Sequence, residues 1–172
     1  MKKVLSILGT ITLIISTSTT SLVACNMLKY SEDELKKEKE KHKIDTKNQE
    51  IRDNLEWIAP QEKPFKQADN NYYFVVWRGD KNDNWKIVKF KHNELKIGKI
   101  FDKYNKHTLE LREEIGYPFY FILYVRYSSY LAPADWELYN NETYFKSVYR
   151  WNSLNIQEPD LIIDEDGNVK VK

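Results

Sequence analysis

The sequence predicts an α+β domain, one twisted antiparallel sheet with a helix packed on one face, carried behind an apolar leader and a charged spacer. Three observations predict it. Of the 24 aromatic residues, 22 lie between Phe65 and Lys172, in runs with β-branched neighbours that suit half-buried pleated strands. Ile51, Leu55 and Ile58 stand at i, i+4 and i+7, one apolar stripe of a helix. Turn-forming residues punctuate the remainder, at Gly79 to Asn84, Asn93-Glu94 and Asp164 to Asn168.

The length of 172 residues suits one domain plus an appendage. A formal net charge of +1 lacks the strongly basic footprint of a nucleic-acid binder. The single cysteine excludes an intrachain disulfide framework and any zinc site built on paired thiolates.

At the N-terminus Lys2 and Lys3 form a positive region and Val4 to Ile15 an apolar stretch of 12 residues, followed by a small polar segment from Ser16 to Ser21. The stretch falls short of the roughly 20 apolar residues that span a bilayer, so it reads as an export signal. Leu22, Val23, Ala24 and Cys25 come next. This resembles the lipobox of bacterial lipoproteins: an aliphatic residue, a tolerant position, a small residue, then cysteine. The resemblance implies cleavage before Cys25 and a diacylglyceryl group on its thiol, and two acyl chains give stable membrane anchoring. The leader, with 22 lysines against 5 arginines and 14 asparagines in the chain, looks like those of surface lipoproteins of wall-less, spiroplasma-type mollicutes. That resemblance implies a location on the outer face of the cell membrane and implies no activity.

Residues 1–24 are therefore read as a signal peptide, 25–49 as a charged spacer and 50–172 as the globular domain. In the spacer, Ser31 and Glu34 match a capping box. Glu38–Lys41 and Glu40–Lys43 are favourable i,i+3 pairs. With Leu35 the one apolar residue from there to Lys43, the segment is expected to be a solvated helix or a disordered spacer. As a coil it would reach roughly 25–30 Å, enough to lift the domain off the headgroups. Asn48 to Ile58 is expected to form the helix that docks on the domain, ended by Pro60.

In the domain, Tyr72 to Trp77, Trp85 to His92 and Leu95 to Phe101 are expected to form an antiparallel meander. Lys106 to Ile115 has helix-forming composition, with Leu111 and Ile115 four apart and Gly116 as its stop. Phe119 to Tyr127 is the most apolar run and reads as a buried strand. Pro133 to Trp136 suits the first turn of a short helix. Thr143 to Trp151 is a further strand, and Leu161 to Ile163 with Val169 to Lys172 a terminal hairpin.

Chemistry-bearing motifs are few. Asp80 to Asn84 begins like a calcium loop, but the glycine and glutamate positions hold Trp85 and Lys91. Asp164 to Asn168 reads as ordinary turn chemistry. His42, His92 and His107 have no metal-ligand spacing on one element, and no phosphate-cradling glycine run or nucleophile elbow is present. The sequence therefore points to no metal and no cofactor, and catalytic residues stay unassigned. An exported hydrolase with a site assembled only in three dimensions, from residues such as His107, Glu113 and Glu114, is the catalytic alternative.

Two features point to binding. Arg78-Gly79-Asp80 spells the integrin-ligand tripeptide at an expected hairpin tip, a candidate adhesion turn. Tyr120, Tyr124, Arg126 and Tyr130 form a candidate platform for a protein or glycan partner, since Tyr and Arg are enriched at binding hot spots. The reading from sequence is a lipid-anchored surface protein, attached through diacylglyceryl-Cys25, whose domain is a non-catalytic interaction module.

Overall fold

A computed structural model describes residues 30–114, 120–127, 135–137 and 143–172. Within them the chain forms α1 (Glu32–Lys41), α2 (Gln49–Asn54), β1 (Leu55–Trp57), two 3-10 turns (Pro60–Glu62 and Pro64–Lys66), β2 (Tyr72–Trp77), β3 (Lys86–Lys91), β4 (Lys99–Tyr104), β5 (His107–Glu114), β6 (Tyr120–Tyr127), β7 (Phe145–Trp151), β8 (Leu161–Ile163) and β9 (Val169–Val171). Antiparallel sheet dominates. The strands form a four-stranded sheet of order β1-β7-β2-β3, a three-stranded sheet β4-β5-β6 and the hairpin β8-β9.

One sheet was expected; the described residues form three, because the central strand β2 is apolar on both faces and each face is covered, one by the three-stranded sheet and the other partly by the β8-β9 hairpin. Tyr73, Val75 and Trp77 point to one side, where they meet Leu109, Leu111, Leu123 and Val125 of the three-stranded sheet, with Phe65 and Trp136 closing the gap. Phe74 points to the other side, among Trp57, Tyr149 and Trp151, and there Ile51 of α2, Leu35 of α1 and the β8-β9 residues Leu161, Val169 and Val171 pack. Each fully buried large side chain contributes roughly 1.5–3 kcal/mol.

Three segments depart from the sequence reading. The expected helix Lys106 to Ile115 is β5. Its period is two: Leu109 and Leu111 enter the core while Thr108, Glu110 and Arg112 alternate away. Asn105 takes a left-handed φ of 53°, so Tyr104 pairs directly with His107 across a two-residue turn. Asparagine tolerates that conformation, and this reverses the chain before a helix can start. The expected docking helix stops at Asn54. Asn48 caps α2 by accepting from the amides of Glu50 and Ile51, but Leu55 to Trp57 extends as an edge strand on β7, with Leu55 opposite Trp151. Here the long-range partner outweighs the helical stripe. The third strand of the expected meander begins at Lys99, after Gly98 at φ 69°, and pairs with β5 instead of β3. That leaves Leu95 and Ile97 exposed in the connection.

The charged segment is helical. Ser31 accepts from the Glu34 amide while the Glu34 carboxylate accepts from the Ser31 amide. The Lys41–Glu38 and Lys43–Glu40 pairs both form. At its end His42 stacks on Trp57 at 4.2 Å and 11°. No helix among the described residues is long and apolar enough to cross a membrane.

The terminal hairpin turns on Gly167 at φ 81°, where an added Cβ would lie 2.7 Å from Cγ of Trp85. Gly167→Ala is therefore expected to destabilise the protein by about 1–3 kcal/mol, read as a fall in the urea midpoint. An unchanged midpoint would refute this packing of Trp85 on the turn.

Candidate functional site

Three places gather polar chemistry. The first is the outer face of the three-stranded sheet. Strand period places Tyr120, Tyr124 and Arg126 on one face with Ile122, and register sets Thr108 opposite Arg126, Glu110 opposite Tyr124 and Arg112 opposite Ile122. The face is not the open platform that the sequence suggested. Ile122 and Tyr124 are buried, and burial raises the pKa of the Tyr124 phenol. The Arg112 guanidinium lies 4.9 Å from the Tyr124 ring centre. Arg126 is exposed but committed to Glu110, Nε to Oε1 at 3.0 Å. Tyr120 sits beneath Lys63 and Lys66, whose ammonium nitrogens lie 5.6 and 4.8 Å from its ring centre. Tyr130 lies outside the described residues, as do Leu22, Val23, Ala24 and Cys25.

Beside β6, Asp135 bridges to Tyr124 and the Trp136 amide donates to the Leu123 carbonyl at 3.0 Å. Of the helical first turn expected at Pro133 to Trp136, Pro133 and Ala134 lie outside the described residues, and Asp135 and Trp136 instead hydrogen-bond to the edge that β6 offers. Glu137 follows. It is buried, and neither carboxyl oxygen has a hydrogen-bond partner. Burial pushes its pKa up to about 8, with Lys63 and Lys66 pulling it down and Asp135 pushing it up. No residue pattern marked Glu137; its burial is a tertiary property.

The second place is the Arg78-Gly79-Asp80 turn. Arg78 Nε donates to the Thr143 carbonyl at 2.6 Å, and its guanidinium lies 4.1 Å from the Trp85 ring centre. Gly79 is buried against His107, whose Nδ1 would stand 2.5 Å from a Cβ. The glycine thus serves close packing and the arginine is engaged on the protein's own surface; Asp80 alone is exposed. His92, on the far side of the same core, is buried edge-on to Phe65 and Tyr73. Burial lowers its pKa against the opposing pull of Asp69. The two histidines belong to separate places. Among the described residues, no group of three or more His, Cys, Asp or Glu side chains could hold a metal ion. The Asp164 carboxylate organises the terminal turn, accepting from the amides of Asp166 and Asn168 and pairing with Lys170, so its pKa falls to about 2.

The third place was invisible in the sequence. Between α1 and the α2–β1 segment lies an open cleft of about 640 Å³. Leu35, Leu55 and Trp57 form its apolar floor, and Lys36, Glu40, Arg52 and Asp53 its charged rim. At one end Lys39 Nζ reaches Glu56 at 2.5 Å and Glu62 at 2.6 Å, while Arg150 and Asn152 hold the other Glu56 oxygen. Burial works against the Lys39 charge, but the two carboxylates outweigh it and hold its pKa above the ordinary value. The same partners hold Glu56 low despite its partial burial. The cleft offers apolar contact framed by fixed charges of both signs.

These features define an antiparallel protein of two main sheets and a terminal hairpin, with a helix-walled cleft at the edge strand. Against protein-family models, curated proteins and solved structures the chain gives no match.

Proposed function

We propose that the protein is an outer-surface lipoprotein, held on the cell membrane by a diacylglyceryl group on Cys25, whose folded part is a non-catalytic module that binds a protein partner. The anchor reading is supported by the leader: a positive start, an apolar stretch too short to span, and Leu22-Val23-Ala24 directly before the chain's one cysteine. In this reading α1 and α2 are the helical layer of an α+β fold, laid over the four-stranded sheet through Leu35 and Ile51.

The observation that carries the binding reading is the α1–β1 cleft. An indole and two leucines framed by charges of both signs suit a polypeptide segment, which supplies apolar side chains and ionic groups together. Its neighbour β1 is an edge strand, paired on one side by β7, and strand edges recruit extended peptides.

Metabolic labelling with palmitate tests the anchor. Strong labelling of the wild type and background labelling of Cys25→Ala is the expected result, and equal labelling would sink it. A photoreactive residue at Asp53 on intact cells tests the cleft, with Ile97 as the control position. A discrete adduct is expected at position 53 alone; no adduct there, or equal adducts at both, rejects the cleft.

A further inference from the structure

We propose that the domain rests directly against the bilayer through the end of the fold that carries Lys63, Lys66 and Tyr120, and that its partner there is an anionic lipid surface. This rests on the Cys25 anchor proposed above. The charged segment was expected to act as a spacer; its contacts make it a clamp. From its first described residue the chain is gripped: the Tyr30 amide donates to Gln61 Oε1 at 2.6 Å and Gln61 Nε2 returns to the Tyr30 carbonyl at 2.9 Å. Farther along, Lys39 pairs with Glu56 and Glu62, His42 stacks on Trp57, and the Tyr149 hydroxyl donates to the His42 carbonyl at 3.1 Å.

Contour length does the rest. Tyr30 stands five residues after Cys25, so even a fully extended chain separates their α-carbons by at most about 18 Å. Gln61 touches Tyr30, and Lys63 follows two residues on, so this end of the fold cannot leave the vicinity of the headgroups while the clamp holds.

Its chemistry suits that position. Lys63 and Lys66 frame the Tyr120 ring. The neighbouring Glu62 is taken by Lys39. Glu137, the carboxyl that both lysines approach, is buried and uncharged below about pH 8. Their positive charge therefore reaches solvent uncancelled by either acid. Lysine side chains are drawn to an anionic leaflet, and tyrosine favours the membrane–water boundary.

The test uses the full chain, lipidated in bacteria and reconstituted into vesicles of phosphatidylglycerol and phosphatidylcholine. A fluorophore is placed on an introduced thiol, at exposed Gln67→Cys beside the patch or at exposed Ile97→Cys in the β3–β4 connection, and a headgroup-linked nitroxide lipid quenches it. Several-fold stronger quenching at position 67 than at 97 is expected. Adding Lys63→Gln and Lys66→Gln should erase most of that difference while the protein stays on the vesicles. So should replacing the mixture by phosphatidylcholine alone. Equal quenching at the two positions, or a difference indifferent to lysines and lipid charge, overturns the proposal with the anchor intact. If the wild type does not pellet with vesicles, or pellets no better than Cys25→Ala, the anchor falls and this proposal with it.

Discussion

Replacing Trp77 by alanine is expected to lower the unfolding free energy by about 3–5 kcal/mol, a large share of the 5–15 kcal/mol that holds a typical domain. The ring is fully buried at the end of β2, in the core shared by the two sheets. There the β2–β7 register shifts, so that Trp77 faces Phe145 while Val76 faces Ser147. Its Nε1 donates to Asp102 of β4 at 3.1 Å, a hydrogen bond between the sheets. Alanine removes the ring, leaves a cavity, and deprives Asp102 of one donor, although Lys86 still reaches that carboxylate at 3.1 Å. Trp77→Phe keeps most of the volume and loses the donor with a small part of the ring, so about 1–2 kcal/mol is expected. Urea unfolding checks both, as a fall in midpoint at constant slope. A loss below about 1 kcal/mol for the alanine variant would place Trp77 outside the folding core.

Glu137→Gln is expected to stabilise the protein at neutral pH and to flatten its pH dependence. In the unfolded chain this carboxyl titrates near 4.5, whereas burial raises it in the fold to about 8. Between those values the unfolded state releases a proton that the folded state keeps. The stabilising contribution of the neutral carboxyl is thus complete below about pH 4.5 and is lost as pH rises towards 8, at about 1.4 kcal/mol per unit. Glutamine keeps the shape and carries no proton to lose. The variant should match the wild type near pH 4 and exceed it by about 3 kcal/mol at pH 7. Thermal melts across that range check it, and parallel profiles for the two proteins would refute a buried neutral Glu137.

Local signals in the sequence predicted the short-range features well. The Ser31–Glu34 capping box, the ion pairs along α1, the strand at Tyr72 to Trp77, the strand expected from Thr143 to Trp151 and found from Phe145, and the Asp164–Asn168 turn all depend on neighbours within a few residues, or on runs apolar enough to admit one conformation. The errors share a cause. Lys106 to Ile115 has acceptable helix propensity, and only the pairing of all eight β5 residues with β6 makes it a strand. Leu55 to Trp57 continues a helical stripe until β7, about a hundred residues later, offers a ladder. Propensity differences of a few tenths of a kcal/mol yield to such partners.

For the candidate sites the division is sharper. The positive start, the apolar stretch and the Leu22-Val23-Ala24-Cys25 pattern, on which the anchor proposal stands alone, were legible because they are contiguous in the chain. Tyr120, Tyr124 and Arg126 of β6 were legible as a set sharing one face, but the burial of Tyr124 and the pairing of Arg126 with Glu110 were not, since both depend on what packs across the sheet. The cleft could not be read at all: it joins Leu35 to Leu55 and Trp57 across a helix that looked like a free spacer. By itself, the sequence determined the apolar strands and the linear pattern from which lipid attachment at Cys25 is proposed. Tertiary structure alone decided which sheet each strand joins, that the Glu137 carboxyl is buried without a hydrogen-bond partner, and that the charged helix grips the domain. The physical reason is that hydrogen-bond ladders, burial and ion pairs such as Lys39–Glu56 are made between residues that sequence separates and only folding brings together.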